Sequence, residues 1–205
     1  MAVANYTDAN GHYPPAHQLG TDGKTWHSWR ILILPYIEQD GLSKAYRFDE
    51  PWNGPNNSKL ADRMPRTMRF TGTDSSTTTT NYLAVVGKET MWPGAVGRNL
   101  KDIKDRLSGT ILVVENSGMG VHWMEPRDLK FATMDFAIDS PNGVSSWYVR
   151  PAIVTADGAV HRLSKTMTPE ALRASLTVAG GEEIGDDERG WIVIPDGRDR
   201  ERKEP

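Results

Sequence analysis

The sequence predicts an α+β fold, with helices first, then strands, then one more helix. Three observations carry that expectation. Between Trp26 and Gln39 the apolar residues are too dense for a one-sided surface helix, so this helical segment is mostly buried. From Asn81 the pattern changes to short β-branched and apolar runs, and an Asp-Gly pair at 157–158 joins two of them. Thr168-Pro169-Glu170 then opens a new helix. Helices followed by strands imply an antiparallel sheet with helices to one side.

Each element has its own warrant. Residues 1–8 read as the last turns of a helix, which Gly11 and Pro14-Pro15 stop. Proline lacks an amide proton and restrains the residue before it. Gly20 to Lys24 is a turn. A helix from about Ser28 is kinked or broken near Pro35, a second spans about 40–47, and a third runs from Ser58 to Met64 with Asn56 or Asn57 as N-cap. Thr71 to Thr80 has no apolar residue and reads as an exposed loop. Tyr82–Val86 is a strand ended by Gly87, Leu100–Leu107 a charged turn or short helix, and Thr110–Glu115 a stronger strand. Ala152–Thr155 and Ala159–Leu163 form a hairpin, because a tight primed turn needs the positive φ that Asp157-Gly158 supplies. The last helix has Thr168 as N-cap and Pro169 at its first position, runs to about Val178, and closes at Gly180-Gly181. Trp191–Ile194 is an edge strand, and the charged run from Arg198 frays. Residues 1–184 make one globular domain and 185–205 a charged tail.

Bulk properties narrow the function classes. A chain of 205 residues supports one well-cored domain, with two as the second reading, and 38% hydrophobic with 25% charged residues is ordinary for a soluble protein. A net charge of -3 gives no pull toward nucleic acid or an anionic membrane. The absence of cysteine excludes disulfides, a thiol nucleophile and thiolate metal sites. No run approaches the ~20 apolar residues of a membrane span, and no signal peptide precedes Asn5.

The chemistry-bearing residues form few patterns. None of the five histidines pairs at H-E-x-x-H spacing, and no serine stands in a G-x-S-x-G elbow. His12 and His17, across the proline turn, read as exposed turn residues rather than metal ligands. Asp8-Ala9-Asn10-Gly11 has alternating oxygen donors, but a calcium loop starting there would need a terminal Glu where Leu19 stands, so it reads as an Asx turn. Glu115 ends a buried strand and needs a partner, which is Arg30, a calcium ion or backbone N–H groups. A salt bridge or cap is the first reading, a calcium ligand the second, a catalytic carboxylate the third. Trp123, Glu125 and Asp128, around Pro126, are the candidate binding residues. Of the seven tryptophans, most are core or rim packing and some are candidates for a carbohydrate-stacking platform. Trp52 is expected to anchor its loop, with the ring buried and its N–H on a carbonyl.

Several segments, in order, resemble one family. They are Asp8–Ala16, Ser28–Gln39, Asp49-Glu50-Pro51-Trp52 with Asn53–Leu60, Thr110–Glu115, Trp123–Leu129, Ala156–Val160 and Leu172–Leu176 with Gly180–Ile184. Together they resemble the planctomycete prepilin-like proteins that end in a domain of unknown function. The Asn10–Pro14 turn is also similar to that of general-secretion pseudopilins. The resemblance implies a pilin-like head behind an N-terminal anchor helix, secreted or displayed on the cell envelope, with protein partners or self-assembly through that helix. Calcium-stabilised loops of some pseudopilins support the calcium reading of Glu115. Three departures stand out. The leader and anchor helix are absent, so membrane attachment is expected only through a helix this chain lacks, and Met1 reads first as a cloning boundary and second as a natural loss of the anchor. Trp147 stands where many relatives carry a His, and Lys130–Tyr148 lacks their Gly-rich approach to the hairpin. The tail beyond Ile184 has no counterpart.

The functional expectation is a non-enzymatic structural or interaction protein with no cofactor. A surface module binding glycan or calcium is the alternative, and a hydrolase the third reading.

Overall fold

In the computed structural model, which describes residues 2–70, 76–164, 166–181 and the backbone of 191–193, helices and mostly antiparallel strands make an α+β protein. The chain runs α1 (Ala2–Asn10), β1 (His17–Leu19), β2 (Thr25–Ser28), α2 (Trp29–Leu32), α3 (Asp40–Ala45), β3 (Thr79–Thr80), β4 (Tyr82–Leu83), β5 (Val85–Val86), β6 (Ile111–Glu115), β7 (Val121–His122), β8 (Leu129–Lys130), β9 (Ala152–Thr155), β10 (Val160–Leu163), α4 (Pro169–Ser175) and β11 (Trp191–Val193). Two units form: one from residues 1–81, 92–100 and 120–128, the other from 82–91, 101–119 and 129–205.

In the first unit α1 turns Val3, Tyr6 and Thr7 inward at helical spacing. Tyr6 meets Tyr36 edge-on at 5.7 Å. The helix ends as expected at Gly11, whose φ of +78° lets its N–H return to the Thr7 carbonyl. Segment 94–98 then clamps the proline turn: Tyr13 N–H reaches Arg98 O at 2.8 Å and Ala16 N–H reaches Gly94 O at 2.9 Å. A Cβ at Gly97 would stand 2.2 Å from the Tyr13 carbonyl oxygen, so the close approach requires glycine there.

β1 and β2 form a hairpin around the turn at 20–24, which the sequence reading had as a turn alone. α2 starts where β2 stops, with the Ser28 side chain accepting Arg30 N–H. The expected break at Pro35 occurs: α2 is four residues long, and a 3-10 turn at Leu34–Ile37 takes Pro35 in its first turn. The helix expected from Ser58 to Met64 is corrected to a 3-10 turn at Asn57–Leu60, and no side-chain cap comes from Asn56. The Glu50 carboxylate does that work, accepting the N–H groups of Asn56 at 2.8 Å and Asn57 at 2.6 Å. Of the loop expected at 71–80, residues 71–75 lie outside the described residues, and Thr79-Thr80 pair with Val121-His122 as β3 and β7.

The second unit holds a five-stranded antiparallel sheet in the order β11-β10-β9-β6-β4. All five residues of β6 are buried, which explains its unbroken apolar run before Glu115. β9 and β10 are the expected hairpin, turning through Gly158 at φ +88°. The single strand expected at Tyr82–Val86 is split at Ala84: β4 pairs with β6, while β5 runs parallel to β8. Two 3-10 turns, Leu100–Asp102 and Leu107–Gly109, stand where a turn or short helix was expected.

α4 has the expected start, with Thr168 Oγ1 accepting Ala171 N–H and Pro169 in its first turn. It ends at Ser175, short of the expected Val178, because tertiary bonds claim that backbone. Val178 N–H goes to Glu89 O, and Val178 O accepts Lys104 and Asp105 N–H. The Asp105 carboxylate then takes the N–H groups of Gly180 and Gly181. β11 pairs with β10 at the sheet edge as expected. Apart from 191–193, the tail assigned to 185–205 lies outside the described residues.

Candidate functional site

Of the candidate residues of the first unit, Asp128 stands in a buried ion pair. Arg30 Nη2 lies 2.8 Å from Asp128 Oδ1, with side chains 1% and 2% exposed. Ser28 Oγ accepts Arg30 Nη1 at 2.6 Å, and the Arg127 carbonyl accepts Nη2 at 3.2 Å. Trp29 donates its indole N–H to Asp128 at 3.3 Å and presents its ring to the guanidinium at 5.0 Å. Trp92 packs against the same indole at 5.1 Å. Burial lowers the Arg30 pKa, and Asp128 works against that shift. The cap of α2 thus delivers Arg30 to a carboxylate supplied from just beyond β7, and both carboxylate oxygens are engaged.

Trp123 and Glu125 go to different surroundings. Trp123 is fully buried and donates its indole N–H to the Ala61 carbonyl at 2.8 Å. That is the bond expected of Trp52. The Trp52 ring instead is half-buried and stacks on His122 at 5.1 Å and 29°. Its loop is held by Asn57, fully buried, which accepts Arg47 N–H and donates to the carbonyls of Arg47, Glu50 and Pro51. Glu125 accepts Arg127 Nε at 2.7 Å and the His122 N–H at 3.3 Å. Met124 N–H donates to His122 Nδ1, which places the proton of the neutral ring on Nε2. Burial lowers the His122 pKa, against Glu125 and Asp62. His12 and His17 are half-buried rather than exposed, and His12 Nδ1 lies 2.8 Å from the Tyr13 carbonyl.

In the second unit Glu115 has its partners within the sheet. The Ser146 hydroxyl donates to Oε1, while Ala152 N–H at 2.8 Å and Arg162 Nη1 at 3.2 Å reach Oε2. The ion-pair partner is therefore Arg162, on the neighbouring hairpin, and not Arg30, which Asp128 has taken. The backbone N–H named as an alternative is that of Ala152. Arg162 also covers the Tyr148 ring at 5.3 Å and donates to Arg150 O. Burial raises the Glu115 pKa above the ordinary carboxylate value; Ser146, Ala152 N–H and Arg162 pull it back down. Among the described residues no group of three or more His, Asp or Glu is placed to hold a metal ion.

The sequence reading missed Ser146, Arg162, Glu50 and Asn57 as the residues that satisfy this chemistry. Glu50 and Asn57 lay inside the quoted Asp49–Leu60 stretch, so their signal was a polar run too rich for a simple connection. Ser146 and Arg162 carried none, because their partner is 31 and 47 residues away.

These features define an α+β protein whose main charged constellations are built into its interior. Residues 1–83 match the model of a family described as a protein of unknown function, DUF1559. The match takes in the Asp8–Pro15 turn, the buried Ser28–Gln39 segment and the Asp49–Leu60 loop. No curated protein and no solved structure matches the chain.

Proposed function

We propose that this chain is a non-enzymatic structural or interaction protein, the pilin-like head of a prepilin-like subunit that is secreted or displayed on the cell envelope. One observation carries the reading. The carboxylates best suited to chemistry, Asp128 and Glu115, are 2% and 1% exposed and each is filled by an arginine and further internal donors. Carboxylates whose oxygens are filled in that way have little capacity left for turnover. The exit of α1 through a positive-φ glycine into a clamped proline turn supports a head that follows a helix. The match of residues 1–83 is consistent with it and assigns no activity. On this reading the partners are proteins, or further copies assembled through an N-terminal helix, and the net charge of -3 argues against nucleic acid.

The test is fractionation of the native cells with mass spectrometry of the mature N-terminus. A processed, N-methylated start in the envelope fraction is expected. A mature chain that begins at Met1 and fractionates with the cytosol overturns the reading.

A further inference from the structure

Asparagine followed by glycine is prone to ring closure, because glycine has no side chain to keep its backbone nitrogen away from the asparagine Cγ. The chain holds three such pairs, Asn10-Gly11, Asn53-Gly54 and Asn142-Gly143. All three asparagines are exposed. Each glycine N–H is hydrogen-bonded, to Thr7 O at 2.8 Å, Pro51 O at 2.9 Å and Ser140 O at 3.0 Å respectively. Neither solvent access nor the glycine amide therefore separates them.

The side chains do. Asn10 Nδ2 donates to the Tyr6 carbonyl at 2.8 Å and to the Tyr36 hydroxyl at 3.3 Å, and Asn142 Nδ2 donates to the Thr133 carbonyl at 2.8 Å. The Asn53 side chain has no hydrogen bond to any described residue, so its Cγ can turn toward the Gly54 nitrogen. The turn bond at Gly54 also costs little to open. Pro51 O accepts both the Gly54 N–H and Asn57 Nδ2, so it keeps a partner when Gly54 leaves. Glycine itself is demanded at 54, since a Cβ there would stand 2.9 Å from the Glu50 carboxylate carbon and 3.0 Å from Pro51 O. The packing that holds this loop therefore fixes the susceptible pair in place.

We propose that the fold selects Asn53 as a site of spontaneous modification, where the chain converts itself through a succinimide to aspartate and isoaspartate. The Gly54 nitrogen gives up its proton and bonds Asn53 Cγ. The Cγ–Nδ2 bond breaks, and Nδ2 leaves as ammonia. Water then opens the five-membered ring. Cleavage at Cγ leaves aspartate in the original chain, and cleavage at the main-chain carbonyl leaves isoaspartate, with the chain running through Cγ. One water is taken up and one ammonia released, with no change in oxidation state. Isoaspartate adds one backbone atom ahead of Gly54, which shifts Gly54 off Glu50 and moves the carbonyl that accepts Ser58 N–H. The conversion needs no partner and is independent of the display reading.

The experiment is incubation of the purified full chain in mildly alkaline buffer, with a parallel sample unfolded in urea. Peptide mapping by mass spectrometry then separates aspartate from isoaspartate at residues 10, 53 and 142. In the native chain Asn53 is expected to convert roughly fivefold faster than Asn10 or Asn142, the worth of the one hydrogen bond those two must first break. In urea the three rates are expected to converge. Asn53→Gln, whose longer side chain would need a six-membered ring, is expected to melt like the unchanged protein and to stay unmodified at 53. Conversion of Asn10 or Asn142 ahead of Asn53 overturns the proposal, as does protection of all three in the native chain. The same preference in urea overturns it too, since the selection would then lie outside the fold. Aspartate without isoaspartate would mean direct hydrolysis and removes the succinimide step.

Discussion

Asp128 and Arg30 stand 2.8 Å apart in sequence regions 98 residues distant, with almost no exposed side-chain surface between them. A buried charge whose partner is removed has nowhere to discharge its field, whereas a pair replaced by apolar groups leaves no orphan. Asp128→Ala is therefore expected to destabilise the protein by about 3–5 kcal/mol in urea unfolding. The double variant Arg30→Met with Asp128→Leu is expected to cost less than that single change. A double variant that costs as much as the two single changes added together would remove the ion pair from the account. Asp128 was legible as a residue of interest because it stands in the Trp123–Leu129 segment that carries part of the family resemblance, but its use was not. Short-range pattern shows that a polar residue sits in an apolar neighbourhood; it carries no information on which distant cation arrives there.

The 47–57 loop shows the same division for an element. Its turn residues, Pro51, Gly54 and Pro55, mark it as a loop, and Trp52 looked like its anchor. The anchor is Asn57, which gathers three backbone carbonyls and one N–H from Arg47, Glu50 and Pro51. An amide fills that role because it donates and accepts at once; a large ring cannot. Asn57→Ala leaves those buried groups short of partners, at a cost of about 2 kcal/mol. The expected signature is faster hydrogen exchange across residues 50–57 with β6 unchanged. Uniform acceleration across both units would mean that Asn57 acts on the whole fold and not on the loop. α4 is the contrasting case, since Thr168, Pro169 and the Gly pair are local signals and its start is where they put it. Only its end moved, because Glu89, Lys104 and Asp105 compete for the backbone of Val178.

For the whole molecule, three histidines of the first unit couple stability to pH. Burial lowers the pKa of His17, His27 and His122 below their ordinary 6.5. His27 is the most enclosed, with the Tyr46 hydroxyl 2.8 Å from Nδ1. A group whose folded pKa is depressed binds its proton more readily when unfolded. Its contribution is fully present above 6.5 and is lost as pH falls through the folded values. The urea midpoint is expected to fall between about pH 7 and pH 5, with His27→Gln combined with His122→Gln flattening that slope. An unchanged slope in the double variant would assign the acid sensitivity to other groups.

Composition, punctuation and period were enough to foresee an α+β chain, the break at Pro35, the 152–163 hairpin, the buried strand before Glu115 and the start of α4. Each of those rests on interactions within a few residues, which a linear pattern records. The partner of each buried charge, the split of Tyr82–Val86 between two pairings and the premature end of α4 came only with the folded chain. They depend on which distant backbone and side-chain groups compete for the same hydrogen bonds, and that competition exists only once packing has removed water as the alternative partner.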